Sequence, residues 1–131
     1  MKTTVIIEKA SDGTFAAYAD KSIDNFLPAG YGDTVEAALE DFGVSIEEMN
    51  EMREEEGKKP LSPVFEYRYD IESFFNYFPY LNVSQVGKKA GINPSLMRQY
   101  AQGLAKAGQK QYDKIRNTIR EMASELSAAT L

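Results

Sequence analysis

The chain has 131 residues, 43% of them hydrophobic, and a formal net charge of −5. That length supports one domain or two very small ones. It contains no cysteine, which excludes disulfides and zinc–thiolate sites, and no histidine, which removes the commonest general base and metal ligand. A protein without enzymatic activity, cofactor or metal is expected.

No apolar run approaches the ~18 residues that a membrane span needs. The opening "MKTTVIIEKASDG" holds too short an apolar run for a signal-peptide core, so a soluble cytoplasmic protein with no membrane partner is expected. The charge is unevenly distributed. Residues 1–65 carry 6 Lys/Arg against 14 Asp/Glu, a net of −8, whereas residues 66–131 carry 9 against 6, a net of +3. From Asn82 onward the balance is 8 against 3, a net of +5. Such a change of sign suggests two modules with different partners, a basic protein for the first and phosphate for the second.

In chain order, "TTVIIEK" (Thr3–Lys9) is rich in β-branched residues and predicts a strand, and "SDG" (Ser11–Gly13) predicts a turn. "TFAAYAD" (Thr14–Asp20) sets Phe15 and Ala17 against Ala16 and Tyr18, the alternation of a hairpin partner. "NFLPAGYGD" (Asn25–Asp33) is irregular and has room for a short third strand. The period then changes. Asp33 or Thr34 can cap a helix in which Val35, Ala38, Leu39, Phe42, Ile46, Met49 and Met52 recur at helical spacing. Gly43 lies inside it, and Ser45 with Glu48 resembles a second capping box, so a kink or break is open there. Glu47–Glu56 forms an acidic face.

"EEEGKKPLSP" (Glu54–Pro63) reads as a connector. "VFEYRYD" (Val64–Asp70) predicts a fourth strand with Phe65, Tyr67 and Tyr69 on one face and Glu66 and Arg68 on the other. Asp70 can cap the helix "IESFFNYF", which Pro79 stops from continuing. Asn82 caps "VSQVGKKA", with Gln85 in the capping-box position; Gly91 ends that helix and Asn93-Pro94 opens the next. A last helix covers about Gln109–Ser127. Its Tyr112, Ile115, Ile119, Met122 and Leu126 form an apolar seam, for packing on its own module or for a dimer contact.

The stretch "GKKAGINPSLMRQYAQGL" (Gly87–Leu104) has the requirements of a helix-turn-helix. Gly91 supplies the left-handed turn residue and Gly87 the small residue where two helices touch. Val86, Ala90, Ile92, Met97 and Tyr100 supply the apolar wedge. Left outside it are Asn93, Ser95, Arg98, Gln99 and Gln102. Arginine can bond guanine and glutamine adenine through two hydrogen bonds each, so these are base-reading types. Lys88, Lys89, Lys106 and Lys110 flank them as candidate phosphate contacts. Two ordinary packed helices with a polar exterior would expose similar residues, and the local basic balance favours DNA. The stretch from Leu81 to Leu104 resembles the Cro/repressor-like class, in which it would form the second and third helices.

The N-terminal half resembles the HicB family of antitoxins through Val5–Lys9, Asp12–Gly13, Gly32–Thr34 and Glu36–Leu39, a likeness covering about residues 1–50. The resemblance implies an α+β fold: a β-β-β-α-β, degenerate RNase H-like domain over residues 1–70, followed by an all-α helix-turn-helix DNA-binding domain over residues 71–131. It also implies binding of a small basic RNA-cleaving toxin, HicA, by the first domain. The second would bind double-stranded operator DNA as a homodimer or higher oligomer and repress transcription of its own operon. The scattered carboxylates Glu8, Asp12, Asp20 and Asp33 read as solvated surface rather than as a catalytic set. The rival reading is an orphan HicB-like transcriptional regulator, or a protein- or ligand-binding module, without a toxin partner.

Overall fold

The structure is a computed structural model that describes all residues, Met1–Leu131. It is a mixed α+β protein with a four-stranded mixed sheet and five helices. The chain divides into two compact units, Met1–Tyr77 and Phe78–Leu131.

The first unit has the order β1 (Lys2–Lys9), β2 (Phe15–Ala19), β3 (Ala29–Gly32), α1 (Val35–Glu55), β4 (Val64–Tyr69) and α2 (Ile71–Tyr77). The sheet runs β3-β2-β1-β4, with β1 antiparallel to β2, β2 antiparallel to β3, and β4 parallel to β1. Alternation decides which residues enter the core. Val5, Ile7, Phe15 and Ala17 share one face and are buried against Val35, Ala38 and Phe42 of α1. Full burial of a Val, Ile or Phe side chain contributes about 1.5–3 kcal/mol, so this cluster dominates the stability of the unit. α1 lies directly on β3: a Cβ at Gly30 would fall 2.1 Å from the backbone nitrogen of Phe42, so only glycine fits.

α1 is one continuous helix of 21 residues, with no break at Gly43. Gly43 sits on its exposed side, where a Cβ would meet nothing within 4 Å, so it neither packs nor bends the helix. The Ser45 hydroxyl accepts a hydrogen bond from Ala29 N–H (3.2 Å) instead of capping a second helix. The true cap is Thr34, whose hydroxyl accepts from Ala37 N–H at 3.1 Å.

The expected boundary after residue 70 falls one helix too early, because α2 belongs to the first unit. Asp70 shows why. Its carboxylate caps α2 by accepting from Ser73 N–H (2.8 Å) and also accepts from Lys9 N–H of β1 (3.0 Å). Asn76 Oδ1 accepts from Val35 N–H at the start of α1 (3.0 Å), and Tyr77 stacks on Tyr69 with centroids 6.1 Å apart. The aromatic run from Phe74 to Tyr80 is thus divided between the two units.

The second unit comprises α3 (Val83–Ala90), α4 (Pro94–Gln102) and α5 (Gln109–Ala128). α3 packs on both α4 and α5. Ile115 and Thr118 of α5 are buried, Tyr112, Ile119 and Met122 are half-buried, and Leu126 is exposed. The seam read from the sequence therefore runs out before its last position, and Thr118 joins it.

Candidate nucleic-acid interface

The geometry between α3 and α4 follows from four local choices. Asn82 caps α3 by accepting from Gln85 N–H at 3.1 Å. Gly91 ends it in the left-handed region (φ 73°), which lets Ile92 N–H reach back to Gly87 O at 2.8 Å and Gly91 N–H to Lys88 O at 3.1 Å. Asn93 then caps α4 by accepting from Ser95 N–H at 2.8 Å, and Pro94 fills the first helical position, where no N–H is needed. Val86, Gly87, Ile92, Met97 and Tyr100 are buried in the angle between the helices, Ala90 is half-buried, and Gly91 lies exposed at the turn.

Outside this wedge, Asn93, Ser95, Arg98, Gln99 and Gln102 are all exposed, and the last four recur on one face of α4. Lys88 near the end of α3, Lys106 in the connection to α5 and Lys110 in the first turn of α5 are exposed as well. No ion pair of this unit uses these three; its salt bridges belong to Lys89 and Arg116. The residues named from the sequence are thus all at the surface, on α3, α4, the first turn of α5 and the connections between them.

Two side chains depart from that reading. Lys89 turns to α5, where Glu125 (3.1 Å) and Glu121 (3.4 Å) bind it. The hydrogen bond to Glu125, followed by that to Glu121, raises its pKa, and the pair ties the end of α3 to α5. Arg98 donates from Nη1 to Ser84 Oγ across 2.8 Å, a bond from α4 to the start of α3. Ser84 escaped the sequence reading because the pair is far apart along the chain and Ser84 looks like an ordinary first-turn residue. The bond uses one of the guanidinium's five donors and leaves the others for a ligand.

The carboxylates of the first unit do not converge. Glu8 accepts from Tyr18 OH (3.0 Å), and Asp12 accepts from the Thr14 hydroxyl (2.6 Å) and N–H (2.9 Å), which hold its pKa below the ordinary range. No three acidic side chains group in a way that could hold a metal ion. No helix is long and apolar enough to cross a membrane.

Comparisons with protein-family models, with curated proteins and with solved structures return no match.

Proposed function

We propose that the protein is a non-enzymatic, HicB-like antitoxin and autorepressor. In this reading the second unit binds operator DNA in the cytoplasm as a homodimer or higher oligomer, with α4 in the major groove. Arg98 and Gln99 read base edges, with Asn93, Ser95 and Gln102 beside them, while Lys88, Lys106 and Lys110 hold phosphates. The first unit binds a small basic HicA-like toxin. No cofactor is required.

The observation that carries the DNA reading is the wedge itself. Gly87, Gly91 and Pro94 lock α3 against α4 so that Ser95, Arg98, Gln99 and Gln102 face outward together. That face belongs to a unit with 8 Lys/Arg and 3 Asp/Glu, whereas the first unit has 7 against 17. Phosphate favours the first balance, and a basic protein favours the second.

The test compares wild type and Arg98→Ala on the duplex upstream of the coding sequence and on a random duplex, at two salt concentrations. Arg98→Ala is expected to cost about 1–3 kcal/mol on the upstream duplex and little on the random one. Equal loss on both reduces Arg98 to a phosphate contact, and no loss on either removes α4 from the DNA. For the toxin half, a small basic protein encoded beside this gene should co-purify with the acidic unit, and its absence from the complex would leave a regulator without a toxin.

A further inference from the structure

The sheet has two edges, and they are treated differently. At β3 the outward N–H groups are already used: Tyr31 N–H donates to Asp41 Oδ2 (2.9 Å) and Ala29 N–H to Ser45 Oγ (3.2 Å), both side chains of α1. This is a covered edge, the usual protection against stray pairing. β4 is the other edge of the sheet. Its Val64 N–H donates to Met1 O (2.8 Å), and Asp70 N–H just beyond it to Ile7 O (3.0 Å). Strand alternation therefore turns the polar backbone groups of Val64, Glu66, Arg68 and Asp70 toward β1, and those of Phe65 and Tyr67 toward the open side.

The surroundings of that open side are specific. Between α1 and β4 lies a groove of about 440 Å³ lined by Leu39, Gly43, Ile46, Phe65, Tyr67 and Tyr69. Tyr67 is 47% exposed and Val64, at the head of the strand, 65%. The absence of a side chain at Gly43 widens the groove where α1 passes over it. On the same side of α1 as Gly43, helical spacing places Glu36, Glu40, Glu47 and Glu54, all exposed.

We propose that the open edge of β4 is a strand-addition site for an extended basic segment of a partner protein. The incoming backbone pairs with Phe65 and Tyr67, its alternate apolar side chains enter the groove under α1, and its lysines or arginines meet the glutamates along the rim. A second copy of the chain is the poorer occupant, since pairing β4 with β4 would bring together two units that each carry 7 positive and 17 negative side chains. The assignment rests on the proposal that the first unit binds a basic protein, and it fixes where and how.

The probe is a labelled synthetic peptide alternating lysine with valine, compared with the same peptide carrying glutamate for lysine, both titrated with the full chain. Wild type should bind the lysine peptide only, and binding should slow amide exchange at Phe65 and Tyr67. Tyr67→Pro removes an outward donor while leaving the ladder to β1 intact, and it should weaken binding about tenfold or more. The double substitution Glu40→Lys and Glu47→Lys, on exposed helix positions, should weaken it as well and decides the matter if the proline variant does not fold. Failure of wild type to bind, undiminished binding by both variants, or protection confined to other amides would overturn the proposal. So would concentration-dependent self-association that Tyr67→Pro abolishes, which would make a second copy the occupant. If a co-encoded basic protein binds wild type and both variants equally, the edge assignment fails while the antitoxin reading stands. If the peptide binds at β4 and no such protein binds, only the antitoxin reading fails.

Discussion

Gly87 and Met97 meet with no room between them: a Cβ on Gly87 would lie 2.8 Å from the Cβ of Met97 and 2.9 Å from its Cγ. Met97 is wholly buried, and its Cβ is fixed by the backbone of α4, so it cannot swing aside. Gly87→Ala gains up to ~1 kcal/mol of helix propensity, but overpacking costs about 1–3 kcal/mol. A net loss of about 1 kcal/mol is therefore expected in urea unfolding, with Gly87→Val worse. Met97→Ala should cost about 2–5 kcal/mol, and Met97→Asp, which buries a charge, should unfold the unit. Greater stability in Gly87→Ala would mean that α4 can move away from α3 freely.

The exposed residues of the second unit should separate by their effect on DNA binding. Lys106→Ala and Lys110→Ala should weaken all duplexes alike and lower the salt dependence by about one counterion each. Gln99→Ala should cost about 1–3 kcal/mol on the operator and hardly affect random DNA. Ser84→Ala releases Arg98 without touching the DNA, so it should reduce discrimination between the duplexes by less than Arg98→Ala does. Binding isotherms at several salt concentrations check all four, and thermal melts should be unchanged by the lysine and glutamine substitutions.

Ser73 in α2 is fully buried, and its hydroxyl has no hydrogen-bond partner. An unsatisfied buried hydroxyl costs about 1–3 kcal/mol, while its small cavity on removal costs less. Ser73→Ala should therefore hold or raise stability, by up to about 1 kcal/mol. Denaturant unfolding decides it, and a clear loss would show that the hydroxyl is satisfied in solution.

Asp24 pairs with Arg53 and with Lys58, and the hydrogen bond from Arg53 holds its carboxyl below the ordinary carboxylate range. A depressed folded pKa gives stability that is present above the unfolded value and is lost as pH falls through the folded one. Asp24→Asn should thus be less stable than wild type at neutral pH, with the difference vanishing in strong acid. Asn suits the site's left-handed backbone (φ 51°), so the comparison isolates the charge. Melting temperatures across the acid range provide the measurement. A difference that persisted unchanged into strong acid would assign the effect to packing.

Most secondary structure was legible because each element carries its own period and its own punctuation. Val83–Ala90 is bounded by Asn82 and Gly91, and Pro94 opens α4, so those limits follow from caps that need no tertiary partner. The helical recurrence of Val35, Ala38 and Phe42 likewise pointed to residues that are buried, since one buried helix face is enough to impose the pattern.

What the sequence by itself determined, then, was both strands of the hairpin and β4, the helices of the second unit, the wedge residues from Val86 to Tyr100, and the opposite charges of the two halves. Tertiary structure decided the rest, because it turned on contacts between residues distant in sequence. Asp70 bonds to Lys9 and Asn76 to Val35, which draws α2 into the first unit; Lys89 goes to Glu121 and Glu125, and Arg98 to Ser84. The unbroken α1 and the contrast between a covered β3 and an open β4 are of the same kind. Side chains such as Asp41 and Ser45 have no local reason to face a strand, and only the placement of α1 on Gly30 brings them to its edge.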